Sequence, residues 1–133
     1  MLKAVADTHA LLWYLQNDPR LSQTANQIFD DADTAGDQIG ISSISLAEIV
    51  YLSEKSRIPP TALGDVLQAL DQVNPLFVEI PVDRSITAAM ATIPRAQVPD
   101  MPDRIIAATA VRLAIPVISR DGKIQLSQVP TVW

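Results

Sequence analysis

Short apolar runs alternate along this chain with longer stretches whose apolar residues recur at helical spacing. Leu2–Ala6 predicts a buried first strand that ends at Asp7. Thr8 leads into Ala10-Leu11-Leu12-Trp13-Tyr14-Leu15, a helix with Leu11, Leu12 and Leu15 on its apolar face, broken by Asn17-Asp18-Pro19. Ser22 reads as the N-cap of a second helix over 23–33, closed near Gly36. Gln38–Ser42 predicts a second strand, and Ser43 or Ser45 caps a third helix through Lys55 that carries Leu46, Ile49, Val50 and Leu52. Pro59-Pro60 separates it from a fourth helix, capped by Thr61, with Leu63, Val66, Leu67 and Leu70 inside. Asn74-Pro75 turns into a strand over Leu76–Ile80, a helix follows near 84–91, and Pro94, Pro99 and Pro102 mark a loop. Residues 104–114 form an apolar helix stopped by Pro116, Val117-Ile118 a short buried strand, and Val129–Trp133 a last strand.

Strands alternating with helices predict an α/β fold, a mostly parallel sheet flanked by helices. The 133 residues show no repeat, low-complexity tract or linker, so one domain spans 1–133. In the late helix, Ala107, Ala108, Ala110 and Ala114 leave room for it to lie close on the sheet. Asp100 and Asp103, three apart at its start, share one helical face, and Asp121 lies just past the strand that follows. If that strand is parallel to its neighbours, these carboxylates stand on the side of the sheet where ligands bind.

Composition changes this picture in three ways. The chain is 48% hydrophobic, with a mean hydropathy of +0.19, and part of that excess reads as a surface for a partner. Cysteine is absent, which excludes disulfides and thiolate metal sites. No basic-then-apolar segment opens the chain and no apolar run nears ~18 residues, so a cytoplasmic protein without membrane association is expected. The net charge of −5 argues against non-specific coating of nucleic acid, but it is uneven, with Asp30, Asp31, Asp33 and Asp37 crowding one helix end and loop.

Four acids fall at similar places: Asp7 and Asp121 after strands, Glu48 and Asp103 in first helical turns. Each has a purely structural explanation. Asp7 caps the next helix, Ser45-Leu46-Ala47-Glu48 fits a capping box, Asp100 and Asp103 suit a positive helix start, and Asp121-Gly122 is a common turn pair. None of these explains why all four should share one rim. Two carboxylates ~5 Å apart repel by roughly 3 kcal/mol at an effective dielectric near 20. Four together therefore need raised pKa values or a bound cation. An all-oxygen set suits Mg²⁺ or Mn²⁺, and such ions activate water against phosphodiesters.

At these residues the chain resembles the PIN-domain ribonucleases, and within them the VapC-type toxins of bacterial toxin–antitoxin pairs. The resemblance runs through Val5-Ala6-Asp7-Thr8-His9-Ala10-Leu11-Leu12-Trp13, Ser43-Ile44-Ser45-Leu46-Ala47-Glu48, Asp100 to Ala110 and Ile118-Ser119-Arg120-Asp121, in family order and over essentially the whole chain. It implies a single PIN-like domain with a mostly parallel sheet of four or five strands. It implies that Asp7, Glu48, Asp103 and Asp121 form a catalytic Mg²⁺ or Mn²⁺ pocket, with Asp7 and Asp103 the more direct ligands. Asp100 matches an auxiliary acid of one branch, whose turn usually reads Asp-Pro-Phe-Asp-Arg; here it is Asp-Met-Pro-Asp-Arg. Ser119 stands where the family often has Thr and keeps a hydroxyl near the metal.

The function implied is a metal-dependent endoribonuclease, the toxin of a pair, hydrolysing RNA with a Mg²⁺- or Mn²⁺-activated water. Its partners would be RNA, a cognate antitoxin and a second copy of itself. The alternative is a catalytically inert PIN-like binding module, which loss of one of the four acids would mark; all four are present. Dehalogenase-type phosphatases need a second Asp two residues after the first, and position 9 is His. Arg104 and Arg120, beside two of the acids, are positions for RNA phosphate contacts; otherwise they are ordinary exposed or ion-paired arginines. The lone histidine, His9, reads as a local hydrogen-bonding residue rather than a general base, and Trp13 and Tyr14 as core or partner surface rather than base-stacking platforms.

Overall fold

In a computed structural model that describes residues 1–133, β1 (Leu2–Ala6) is covered on both sides: Ala4 and Ala6 belong to one buried cluster, Val5 to another. The strand's two-residue period thus feeds two cores, as expected for a parallel sheet inside an α/β sandwich. β2 (Gln38–Ser42), β3 (Phe77–Ile80), β4 (Val117–Ile118) and β5 (Thr131–Val132) complete a five-stranded sheet of order β3-β2-β1-β4-β5. Every pairing is parallel, and Ala6 lies between Ile41 and Ile118 in register.

Seven helices flank the sheet: α1 (Thr8–Leu15), α2 (Gln23–Ala35), α3 (Ser43–Glu54), α4 (Ala62–Leu70), α5 (Arg84–Met90), α6 (Met101–Leu113) and α7 (Gly122–Leu126). Helices α1 to α4 contribute Leu11, Phe29, Ile49 and Val66 to the first core; α5 to α7 contribute Ile86, Ile106 and Ile124 to the second. The chain steps outward from β1 to β3, then returns past β1 to β4 and β5. Right-handed crossovers place helices on opposite faces when the direction of stepping reverses. The reversal falls between β1 and β4, which opens a crevice at their C-terminal ends.

Local signals set most element ends. Ser22 Oγ accepts from Ala25 N at 3.0 Å, and Gly36, at φ 72°, closes α2 in the left-handed region. Ser22→Ala should lower stability by about 1 kcal/mol without altering the site, which urea unfolding of the variant checks.

Several expectations are corrected. Helix α3 is capped by Ser42, not by Ser43 or Ser45, because β2 runs into the helix without a loop; Ser42 Oγ accepts from Ile44 N at 3.2 Å. Ser45 therefore lies inside the helix, and the Ser45–Glu48 capping box does not form. Thr61 stands at the cap of α4 but makes no side-chain cap bond, and Leu67 points outward at 43% exposure. Helix α6 starts three residues earlier than its apolar pattern suggested, because Asp100 caps it and Pro102 is tolerated in a first turn. It ends at Leu113, with Ala114 left-handed (φ 57°) and exposed rather than packed on the sheet. Asp121-Gly122 is not a bare turn but the start of α7, and the last strand is only Thr131–Val132.

Candidate active site

The crevice between β1 and β4 is built around Asp7. Its backbone N–H donates to Ile118 O at 3.0 Å, which ties the end of β1 to the end of β4. Its carboxylate caps α1, with Oδ1 accepting from Ala10 N at 2.8 Å. Oδ2 accepts a hydrogen bond from Ser119 Oγ. Ser119 is fully buried, and its Oγ also accepts from Asp121 N at 2.9 Å. One hydroxyl thus fixes Asp7 and the backbone of Asp121 together.

The other acids arrive from the starts of α6 and α7 and from the second turn of α3, where Glu48 stands instead of in the first turn expected for it. Asp121 caps α7, where Oδ1 accepts from Lys123 N and Ile124 N at 2.9 and 3.0 Å. Asp100 caps α6, with Oδ2 accepting from Asp103 N at 3.1 Å, so the pair is a cap and the residue capped rather than two positions on one helical face. Asp103 sits in the first turn of α6. Glu48 projects from α3, and Thr8 Oγ1 donates to its Oε1 at 2.5 Å while sharing a hydrogen bond of 2.9 Å with Ser45 Oγ. Glu48 is therefore oriented from α1, across the crevice mouth, and not by its own helix terminus.

These five carboxylates line a cleft of about 530 Å³. Thr8, His9, Trp13, Arg20 and Arg120 line the rest of it. Two of the acids, Asp103 and Asp7, are displaced from the ordinary carboxylate range. Asp103 is half-buried, and its pKa is pushed up to about 7, first by burial, then by Asp100, Asp121, Glu48 and Asp7. Burial also raises Asp7, whose anion is favoured in turn by the bonds from Ser119 and Ala10 N and by His9, and opposed by Asp121.

The donor set is entirely oxygen, which fits a hard divalent cation and excludes a thiolate or multi-histidine zinc site. No three of the acids converge as a ready-made ligand group. A cation would draw them inward and offset both the burial of the Asp103 carboxylate and the repulsion from its neighbours. Asp7, Asp103, Asp121 and Glu48 are the groups placed to respond, with Asp100 at the exposed edge.

All four predicted acids, with Asp100, reach one cleft, and Ser119 lies behind Asp7. Arg120 reaches it too, whereas Arg104 turns away and donates through Nε to Ile93 O at 3.1 Å. Tyr14 lies against Phe29 at 4.4 Å between ring centroids, and its hydroxyl donates to Asp30 Oδ1. Trp13 is 5% exposed, so it is core as expected, yet one edge borders the cleft. His9 makes no side-chain hydrogen bond; its ring tilts against Trp13 at 5.6 Å. Two cleft residues had no distinct signal in the sequence. Thr8 follows Asp7 directly, but its contact with Glu48 spans 40 positions. Arg20 belongs to the α1–α2 turn, and only its Asp18-Pro19-Arg20 spacing hints at the ion pair it makes.

Comparison with known proteins places this geometry among relatives. A family profile described as PIN domain matches residues 4–130. Ribonuclease VapC22 of Mycobacterium tuberculosis (strain ATCC 25618 / H37Rv) is 27% identical over 136 residues, covering 100% of both chains. Among solved structures, VapBC2 from Rickettsia felis, bound to a DNA fragment from its promoter, superposes with a TM-score of 0.70 at 16% identity, covering 99% of this chain and 98% of that one. FitAcB from Neisseria gonorrhoeae gives 0.65 at 21% identity, covering 100% and 97%. A toxin–antitoxin complex from Klebsiella pneumoniae gives 0.62 at 20%, covering 98% and 97%.

Proposed function

Since this chain belongs to the PIN domain family, matched from residue 4 to residue 130, we propose that it is a divalent-metal-dependent endoribonuclease, the toxin of a toxin–antitoxin pair. The observation that carries this reading is the gathering of five carboxylates in one open cleft, where burial first and then its four acidic neighbours push Asp103 up to about 7. A merely structural cap has no need of such neighbours, and perturbed carboxylates gathered in a cleft mark chemistry. The full-length relationship to a protein named ribonuclease VapC22 supports the substrate class.

Mg²⁺ or Mn²⁺, when bound, would supply the charge that activates water and steadies the leaving oxygen of a phosphodiester. Asp7 and Asp103 would hold the ion most directly, with Glu48 and Asp121 completing its oxygen environment. Ser119 keeps Asp7 aimed by donating to Oδ2, and Thr8 does the same for Glu48. Such supporting hydrogen bonds fix the orientation of ligating carboxylates. Asp100, at the edge of the cleft, caps α6 and sets where Asp103 stands.

The solved neighbours are toxin–antitoxin assemblies, and we assign this chain the same kind of partner, a cognate antitoxin. Exposed Val50, Tyr51 and Leu67, on the packed pair α3 and α4, give apolar surface for that partner or for a homodimer. No helix is long and apolar enough to cross a membrane, and we place the protein in the cytoplasm.

The test is cleavage of a long mixed RNA by the purified chain with Mg²⁺, with Mn²⁺ and with EDTA. Internal cutting in either metal, abolished by EDTA, is expected. Absence of both cutting and calorimetric metal binding would overturn the reading and leave an inert PIN-like module.

A further inference from the structure

The cleft has a second wall that the acid chemistry does not use. Trp13 carries two guanidinium groups: Arg20 Cζ lies 4.9 Å from its ring centroid and Arg120 Cζ 4.6 Å. Both arginines are exposed, and both line the same cleft as the acids. Arg120 makes no ion pair. Arg20 is held by Asp18, through Nε to Oδ1 at 3.0 Å and Nη2 to Oδ2 at 2.8 Å, which fixes its plane. Asp18 N in turn donates to Trp13 O at 2.8 Å, so the turn that presents Arg20 is anchored to the helix that presents Trp13.

The fold sets this wall apart from the acids of α6. Helix α1, with Trp13, packs on one face of the sheet, and α6, with Asp100 and Asp103, packs on the other. Asp7 and Asp121 lie between, at the ends of β1 and β4. The cleft therefore presents guanidinium groups as well as carboxylates. A strand whose scissile phosphate sits at the carboxylates needs countercharge for its neighbouring phosphates, and five acids give none. Planar guanidinium groups held on an indole face are pre-aimed donors for phosphate oxygens.

We propose that Arg20 and Arg120, mounted on Trp13, form a phosphate clamp for the RNA backbone next to the scissile position, each engaging one phosphate. The proposal rests on the ribonuclease reading and adds to it the residues that position the substrate. Asp18 is a positioning residue for Arg20. The clamp reads backbone rather than base, so it serves any single-stranded sequence.

The experiment measures binding of a short single-stranded RNA of mixed sequence across a salt series. It uses the full chain carrying Asp7→Asn, in Mg²⁺, and in parallel the unmodified chain in EDTA, so that cutting does not interfere. Arg20→Gln and Arg120→Gln remove the charge that lies over Trp13 and keep a polar side chain. Each should make the slope of log K against log salt shallower by about 0.7, the value for one phosphate contact on a single strand, and the pair by about 1.4. Arg→Lys at either position should restore the slope. A merely structural role in covering Trp13 would alter melting temperature but not this slope. Unchanged slopes in both Gln variants, with RNA still bound and cut by the unmodified chain, would overturn the clamp and leave the ribonuclease reading standing. An unmodified chain that neither binds nor cuts RNA overturns both.

Discussion

Asp7→Asn should abolish RNA cutting, by on the order of 10³-fold or more, in a chain that folds as before. Asn is as good an N-cap as Asp, and its Oδ1 can still accept from Ala10 N. On the other side its amide donates to Ser119 Oγ, which in turn releases its own hydroxyl proton from the bond to Oδ2. The cap of α1 is thus kept, and a raised, poorly solvated acid is exchanged for a neutral group of the same shape. What disappears is the negative charge at the centre of the cleft, and with it a ligand of the proposed metal. Cutting rates beside circular dichroism and urea unfolding separate the two roles. A variant that unfolds would show that Asp7 serves chiefly as the cap of α1; one that folds and still cuts would remove Asp7 from the chemistry.

Without divalent metal, the protein should lose stability as pH rises from about 4 to about 7. Asp103 keeps its proton to about pH 7 in the folded chain, while in the unfolded chain it releases it in the ordinary carboxylate range. Across that window the folded state holds a proton that the unfolded state has given up, so raising the pH favours unfolding. Asp7, also raised, acts in the same direction. In a fully buried site such a displacement would be worth about 4 kcal/mol. Asp103 is partly open to water, and screening reduces the expected change to roughly 1–2 kcal/mol. Asp103→Asn should flatten most of this dependence. Saturating Mg²⁺ should reverse it at neutral pH, adding about 2.7 kcal/mol at a hundredfold excess over Kd. Thermal melts between pH 5 and 8, with EDTA and with Mg²⁺, measure both effects. A flat metal-free profile would show that neither burial nor the neighbouring carboxylates displace Asp103 in the native cleft.

These two expectations have opposite signs at one site. Without metal the gathered acids are a burden on the fold, and three of the five have a second role that the structure makes visible. Asp7, Asp100 and Asp121 each close a helix N-terminus through their side chains. The capping explanation and the catalytic one are therefore not rivals here. Three of the five acids stand on the rim because a helix begins there, and helices begin there because parallel strands end there.

Much of this was written in local sequence. Apolar runs, Ser22, Gly36 and the proline breaks act over a few residues, so the strands, six of the seven helices and the alternation that makes the sheet parallel could be read directly. The positions of Asp7, Asp103 and Asp121 relative to those elements were legible for the same reason, whereas Glu48 stands one turn further into α3 than its local pattern suggested, because the helix starts at Ser43. The structure alone supplied α7, five residues long, which has no periodicity of its own and exists because Asp121 caps it and Ile124 finds the second core. It alone moved the cap of α3 to Ser42, since whether a strand runs straight into a helix depends on where β3 and α6 pack around it. It alone brought Thr8 to Glu48 and set Arg20 and Arg120 on one indole. Those contacts join residues separated along the chain by the order in which strands were laid into the sheet, and only packing sets that order.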